Sequence, residues 1–305
     1  MPDITHTGRF SHEAMNTVFE VIVAGESEPN ARGVAADVFC EIDRLERMLS
    51  RFDSSSDVGQ LNLLNPGSSV HVSREVYECL LLAAWAYAET DGAFDVTIGP
   101  VMDVVRGASV RAGKPGREDI ESAVSLVGMN NLLLSAADCS VSLREGHRVG
   151  IDLGAIGKGH ALDKAAEILE RWEIKNYLLS AGTSTVLAAG NGDESGGWYV
   201  GIGGEWGKAA GIEGVRLHDE ALSGSGTEEQ GEHIRDPRTG LPAKAHLAAW
   251  ARCPSAACSD ALSTAFMVMS TEKVREFCAR HEGVGAVFVE EDGAVKTIDV
   301  TVCRA

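Results

Sequence analysis

The chain has 305 residues, 44% of them hydrophobic and 24% charged, with 27 Lys and Arg against 45 Asp and Glu for a net charge of −18. This length can bury a sizeable core in one large domain or two modest ones, and the acid excess argues against general nucleic-acid binding, which runs on counterion release by clustered Lys and Arg. The seven cysteines are scattered without a Cys-x-x-Cys pair, so neither a zinc cage nor a disulfide framework is indicated. No apolar run is long enough to span a membrane. The N-terminus, MPDITHTGRFSHEAMNT, has no basic n-region, no apolar h-region and no Cys for lipid attachment. The expected location is therefore the cytoplasm, with reduced thiols and no membrane partner.

In chain order, residues 15–25 alternate apolar and polar and predict a strand. Residues 30–50 predict a helix with Val34, Val38, Ile42, Leu45 and Leu49 on one face. Asp53 to Ser56 can cap a short helix, and core packing is the ordinary expectation for Phe52 beside them. A second helix is predicted over 73–90, capped by Ser73 and stopped at Asp91-Gly92. The apolar flanks of GAFDVTIGP would bury Asp95 and Thr97, which then need polar partners. Residues 106–118 read as a Gly/Pro/charge-rich loop and 117–128 as a helix. Short strands are predicted at 132–134, 141–143 and 149–153, and a further one at 176–180, giving a βαβ-like unit around the helix between them. Short strands and turns fill 198–223. Helices are expected at 256–270 and 271–282, and strands at 284–290 and 297–302.

The chain is organised around IDLGAIGKGHALDKAAEILE, residues 151–170. The pattern reads as a strand end, a Gly-rich turn carrying Lys158 and a helix start, where unpaired N–H groups attract anions. A Walker A loop is excluded, since Asp152 stands at the first glycine and Gly159 at the hydroxyl position. A dinucleotide loop is excluded because the glycines run Gly-x-x-Gly-x-Gly, the reverse of its spacing. A packing-only strand–turn–helix joint stays open beside phosphate binding.

Five stretches stand in order: MNT at 15–17, GAFDVTIGP at 92–100, DLGAIGKGHALD at 152–163, HIRDPRTGLP at 233–242 and SDALSTA at 259–265. As a set they resemble the ApbE family, the FAD:protein FMN transferases, over about residues 15–303. The resemblance implies an α+β fold with a mixed core sheet, packed helices and a T-fold-like portion, as one domain over 1–305 or two intimately packed subdomains. It implies binding of FAD and of Mg2+, with Mn2+ as the alternative. It further implies cleavage of the FAD pyrophosphate, release of AMP and transfer of FMN to a threonine of an acceptor flavoprotein.

By position, Met15, Phe52, Ala93, Phe94, Asp95, Asp152, Lys158 and Ile234 match FAD-contacting positions. Ala155, through its carbonyl, and Asp260 and Thr264, through their side chains, match metal ligands, and His233 matches a proposed catalytic base. His160, the nearest rival base, stands where the family commonly has an aromatic and reads as packing or stacking. The FAD site is expected where the central loop faces the 233–242 and 259–265 segments. Magnesium prefers oxygen ligands of this kind, and an imidazole suits a base working near neutral pH.

The chain departs from the family at Asn16, where the family has Gly, at Ser180–Ser184, where it has N-x-G-G-D, and at Ser223–Gly226, where T-S-G appears as Ser-Gly-Ser-Gly. A FAD pyrophosphatase of the same fold and a non-catalytic flavin-binding protein are the alternatives.

Overall fold

The computed structural model describes residues 7–110, 113–193, 195–202, 211–227 and 233–304. The chain divides into two compact units. The first comprises residues 1–46, 158–231 and 244–305, and the second residues 47–157 and 232–243.

The first unit is built on an eight-stranded sheet. Its strands are β1 (Thr7–Ala14), β2 (Thr17–Ala24), β6 (Tyr177–Ala181), β7 (Thr185–Ala189), β10 (Glu220–Gly226), β11 (Ala248–Cys253), β12 (Gly285–Val289) and β13 (Val295–Ile298), adjacent in that order. Every ladder in it is antiparallel. One face is covered by a second sheet, β8 (Trp198–Gly201), β9 (Ile212–Leu217) and β14 (Val302–Arg304). Trp198, Ile212, Val215, Leu217, Leu222 and Val287 pack into the layer between them. The other face carries α7 (Ala256–Val268), which lies on β7, β10 and β11. α7 is buried on nearly every side and apolar almost all round, as such a helix must be. α6 (Gly157–Arg171) and α8 (Thr271–Arg280) complete this unit, with α1 (Glu28–Leu49), whose last residues run into the second.

The second unit holds α2 (Asp57–Asn62), α3 (Arg74–Glu89), α4 (Gly99–Val110), α5 (Arg117–Val124) and a small antiparallel sheet of β3 (Ser69–His71), β5 (Ser140–Leu143) and β4 (Leu132–Ser135). Ser56 and Ser73 cap α2 and α3 as expected, accepting from Gly59 N–H and Val76 N–H. Among the described residues no helix is long and apolar enough to cross a membrane.

The α+β class holds, but the sheet expected to be mixed is antiparallel in every ladder. The βαβ unit is absent for a definite reason: residues 149–153 do not form a strand. Ile151 N–H donates to Asn62 Oδ1 at 2.6 Å, and Asn62 Nδ2 donates back to the Ile151 carbonyl at 3.0 Å. A side-chain amide thus satisfies the backbone groups of Ile151, Gly150 makes an isolated parallel bridge to Ile98, and β6 pairs antiparallel with β2 and β7. The predicted 106–118 loop is also corrected. Arg106–Val110 continue α4, because Val101, Val104 and Val105 form an apolar face that meets Ile120 and Ala123 of α5, and Ala108 one turn on is buried as well. Residues 111–112 lie outside the described residues. The strand predicted at 15–25 begins at Thr17, and its partner β1 was not anticipated. β1 is an edge strand whose exposed and half-buried positions alternate without a clear apolar face.

One glycine fixes how α6 meets α7. A Cβ on Gly159 would stand 2.2 Å from the Ala256 carbonyl oxygen and 2.7 Å from Ala257 Cα, both backbone atoms. A Cβ on Gly157 would meet only side-chain carbons at 3.9 Å. Gly159→Ala is expected to lower stability by about 3 kcal/mol, the upper range for overpacking. Gly157→Ala should be neutral or stabilising by up to about 1 kcal/mol. Urea unfolding midpoints check this, and equal midpoints for the two variants would contradict it.

Candidate functional site

In the first unit the predicted site residues gather around the N-terminus of α6. The Gly159 N–H, one of the donors left open at a helix start, donates to Asp260 Oδ2 at 3.1 Å. The anion held at this helix start is thus the Asp260 carboxylate, itself 5% exposed on α7. Asp163, one turn further along α6, accepts from Ser255 Oγ at 2.7 Å, Ala256 N–H at 2.7 Å and Ala257 N–H at 3.0 Å. It thereby caps α7 from outside, and burial holds its carboxyl above the ordinary pKa against those hydrogen bonds.

Asp260 Oδ1 is less committed, with Thr185 Oγ1 donating at 3.3 Å. Thr264, one turn along the same face, has only long contacts among the described residues. These are 3.3 Å to Ser225 Oγ and 3.5 Å to the Asp260 carbonyl. Ser223, the cross-strand partner of Thr185, is fully buried, and its hydroxyl has no hydrogen-bond partner among the described residues. The result is a carboxylate and several hydroxyls with lone pairs to spare. Among the described residues no group of three or more His, Cys, Asp or Glu side chains is placed to hold a metal. A cation here would rest on hard oxygen donors, a set that fits magnesium. Lys158 is half-buried at this helix start, and His160 is 4% exposed within α6, in keeping with packing.

Met15 and Asn16 form the β1–β2 turn, with Ala14 opposite Thr17 and φ of 49° and 57°. Two positive φ values mark a type I′ turn. Asn is among the few residues that tolerate this region, so Asn16 replaces the family glycine at little cost. Met15 is a strained exception, and its N–H donates to Glu46 Oε1 at 2.6 Å. The turn packs against Gly182, where a Cβ would lie 2.3 Å from Thr17 Oγ1. The 180–184 segment therefore keeps glycine at φ 59°, the position that requires it. The departure at Gly224 has a local cause as well. A Cβ there would stand 2.4 Å from Trp250 Nε1, and Trp250 packs on the layer between the two sheets.

In the second unit Asp152 is the centre. Its Oδ2 accepts from Arg51 Nη1 at 2.7 Å and from Arg106 Nη2, while its Oδ1 accepts the Gly154 N–H at 2.9 Å. Burial pushes the Asp152 carboxyl up, but the Gly154 N–H and the two guanidiniums outweigh burial and hold it below the ordinary carboxylate value. Phe52 corrects the core expectation: it is 77% exposed, beside both arginines. Ala93, Phe94 and Asp95 are buried. Asp95 meets its need for partners through Thr97 N–H at 2.8 Å, Thr97 Oγ1 at 2.6 Å and Met129 N–H at 3.1 Å. Burial nonetheless holds the Asp95 carboxyl above its ordinary pKa.

His233 is half-buried and Ile234 buried at the start of a closed loop. Arg235 bridges Pro242, Ala243 N–H donates to the Ile234 carbonyl at 2.9 Å, and Gly240 N–H donates to the Asp236 carbonyl at 2.7 Å. A Cβ on Gly240, at φ 69°, would strike Ile120 and Val124 of α5. Ala155 is half-buried in the turn before α6. Arg51, Arg106 and Glu46 were not singled out from the sequence. Their partners lie 101, 46 and 31 positions away, so nothing local signals the contacts.

A profile of the ApbE family matches residues 15–288. The chain belongs to the ApbE family. Among curated relatives it is 26% identical over 294 residues to a FAD:protein FMN transferase of Klebsiella pneumoniae, covering 92% of this chain and 83% of the relative. It is 28% identical over 265 residues to one of Haemophilus influenzae, covering 82% and 73%. Among solved structures it resembles the apo flavinyl transferase ApbE of Pseudomonas stutzeri, with a TM-score of 0.82, 25% identity and 96% of each chain covered. It also resembles the ApbE protein of Thermotoga maritima, with a TM-score of 0.82, 28% identity and coverage of 96% and 97%.

The Asp152 geometry yields a pH test. A carboxyl whose pKa is lowered on folding contributes stability above its unfolded value, near ~3.9, and that contribution is lost as pH falls through the lower folded value. Asp152→Asn should cost about 3 kcal/mol near neutral pH, by removing the carboxylate both guanidiniums share and leaving Arg51 only the exposed Asp103. This is the low end, because the Arg106 side chain is 40% exposed and screened. The gap to the wild type should narrow below about pH 4. Urea unfolding between pH 3 and 7 measures it, and a pH-independent gap would contradict the assignment.

Proposed function

We propose that this chain is a magnesium-dependent FAD:protein FMN transferase. The observation that carries the reading is Asp260. Its carboxylate is fixed from one side by Gly159 N–H and has Oδ1 only loosely engaged, with the Thr264 hydroxyl one turn away. Asp260 and Thr264 would supply the side-chain oxygens to the cation. The family resemblance, rather than the geometry of either unit, adds the Ala155 carbonyl. When bound, the cation neutralises charge developing on the pyrophosphate. The names of the curated relatives support the same activity.

In the proposed step the acceptor threonine oxygen bonds to the FMN phosphorus. The bond from that phosphorus to the bridging oxygen breaks, AMP leaves, and the hydroxyl proton passes to His233. The closed turn from Asp236 to Gly240 steadies the backbone that carries His233. Met15, Phe52, Phe94, Asp152, Lys158 and Ile234 are the proposed FAD contacts, with Ala93 and Asp95 shaping the segment around Phe94. Among the described residues none of the seven cysteines forms a disulfide, which suits the reducing cytoplasm.

Incubation with FAD, Mg2+ and a flavoprotein bearing the acceptor threonine, read by mass spectrometry, should give a covalent FMN adduct. Free FMN and AMP without an adduct would instead indicate a pyrophosphatase, and no turnover would indicate a flavin-binding protein. His233→Ala should slow transfer by ~10²–10⁴-fold while leaving FAD binding largely intact. The residual rate should lose the acid limb of its pH profile, since the step needs a neutral imidazole. Near-normal transfer by this variant would rule the base out.

A further inference from the structure

Phe52 is the most exposed aromatic side chain among the described residues, yet its surroundings are rigid. Arg51 Cζ stands 5.6 Å and Arg106 Cζ 5.4 Å from its ring centroid. Both guanidiniums are tied down in turn. Arg51 donates to Asp152 Oδ2 and, through Nη2, to Asp103 Oδ2, each at 2.7 Å, and its side chain is only 11% exposed. Arg106 donates to the same Asp152 oxygen. The chain beneath is equally fixed, since Ser56 Oγ donates to the carbonyls of Ser50 and Asp53. A Cβ on Gly59 would stand 1.9 Å from the Asp53 carbonyl oxygen.

An apolar ring held out of the core by two cations, themselves held by carboxylates, is a preorganised surface. It lacks the loose character of an ordinary surface side chain. From this geometry we propose that Arg51 and Arg106 are positioning residues that fix the Phe52 ring as a stacking platform for the isoalloxazine of the flavin nucleotide. The proposal rests on the transferase reading above. The ring class follows from the donors. Guanidinium offers N–H groups and no acceptor, so it suits a planar ring whose edge carries carbonyl acceptors. The pyrimidine edge of isoalloxazine carries two, whereas the corresponding edge of adenine carries an amino donor. Carboxylates outnumber the cations of this chain, 45 to 27, and here two arginines share one carboxylate oxygen and one aromatic ring.

The test uses the full chain with FMN as the probe, followed by flavin fluorescence and by the visible absorption band of the bound flavin. Arg51→Met and Arg106→Met keep an apolar stem and remove the guanidinium, and circular dichroism checks their folding. Each should weaken FMN binding, and the double variant by roughly tenfold or more, with the bound-flavin band moving toward that of free FMN. In a Phe52→Ala background the same arginine changes should have little further effect, because they act through the ring. Should Arg51→Met fail to fold, Arg106→Met, the more exposed of the two, decides alone.

Folded variants with wild-type FMN affinity and an unchanged band would overturn the proposal. So would an arginine effect of full size in the absence of Phe52. Both results presuppose a wild type that binds flavin. A wild type that binds neither FMN nor FAD would overturn the transferase reading itself, and this proposal with it.

Discussion

The contact on which the first unit depends is the one between the start of α6 and the start of α7. It is made of three parts that need each other. Gly159 lacks a Cβ, so its backbone can lie against the Ala256 carbonyl. That closeness lets Gly159 N–H reach Asp260 Oδ2, and it brings Asp163 under the first turn of α7, where it takes two backbone N–H groups and a hydroxyl. Each helix start is thereby satisfied by a carboxylate from the other helix, Asp260 for α6 and Asp163 for α7. The arrangement also fixes the rotation of α7, so that Asp260 and Thr264 face the hydroxyls of Thr185 and Ser225. A buried carboxylate among hydroxyls is costly unless paired, and the loose Oδ1 and the Ser223 hydroxyl, unpartnered among the described residues, mark where that cost is not met by them.

The second unit solves an opposite problem. Asp152 is half-buried beside two arginines and stays ionised, whereas Asp95, buried among neutral donors, has its carboxyl pushed up. The two acids stand in neighbouring family motifs and differ in what surrounds them. Asp95 has a structural task, joining its own turn to Met129 and Thr97. Asp152 organises charge that extends to the exposed Phe52.

Much of this was legible in the sequence, and what was missed has physical reasons. The helices of α1 and α3 follow from apolar spacing, and the caps at Ser56 and Ser73 from residue type at the right distance. The need of Asp95 and Thr97 for partners was visible from their apolar flanks. The failures share one cause, partners distant in sequence. Residues 149–153 have the apolar character of a strand, but Asn62 takes the backbone groups of Ile151 from 89 positions away, and Gly150 and Asp152 bond to the backbone of residues 96–99 instead. Phe52 looks like core until Arg106 is known to lie beside it. Arg106 itself was read as loop because Gly and Pro further on outweighed the apolar spacing that ties α4 to α5. The family departures become intelligible only in three dimensions, since Asn16 occupies a backbone region open to Asn and Gly224 makes room for Trp250.

The central claim is that α7 presents Asp260 and Thr264 as oxygen ligands for a divalent cation that serves the FAD pyrophosphate. Anomalous diffraction from crystals grown with Mn2+ and FAD tests it directly. The account predicts a single strong peak within roughly 2.1 Å of an Asp260 carboxylate oxygen and the Thr264 hydroxyl, next to phosphate density. A manganese peak held by other residues, with Asp260 still bonded only to Gly159 and Thr185, would contradict it.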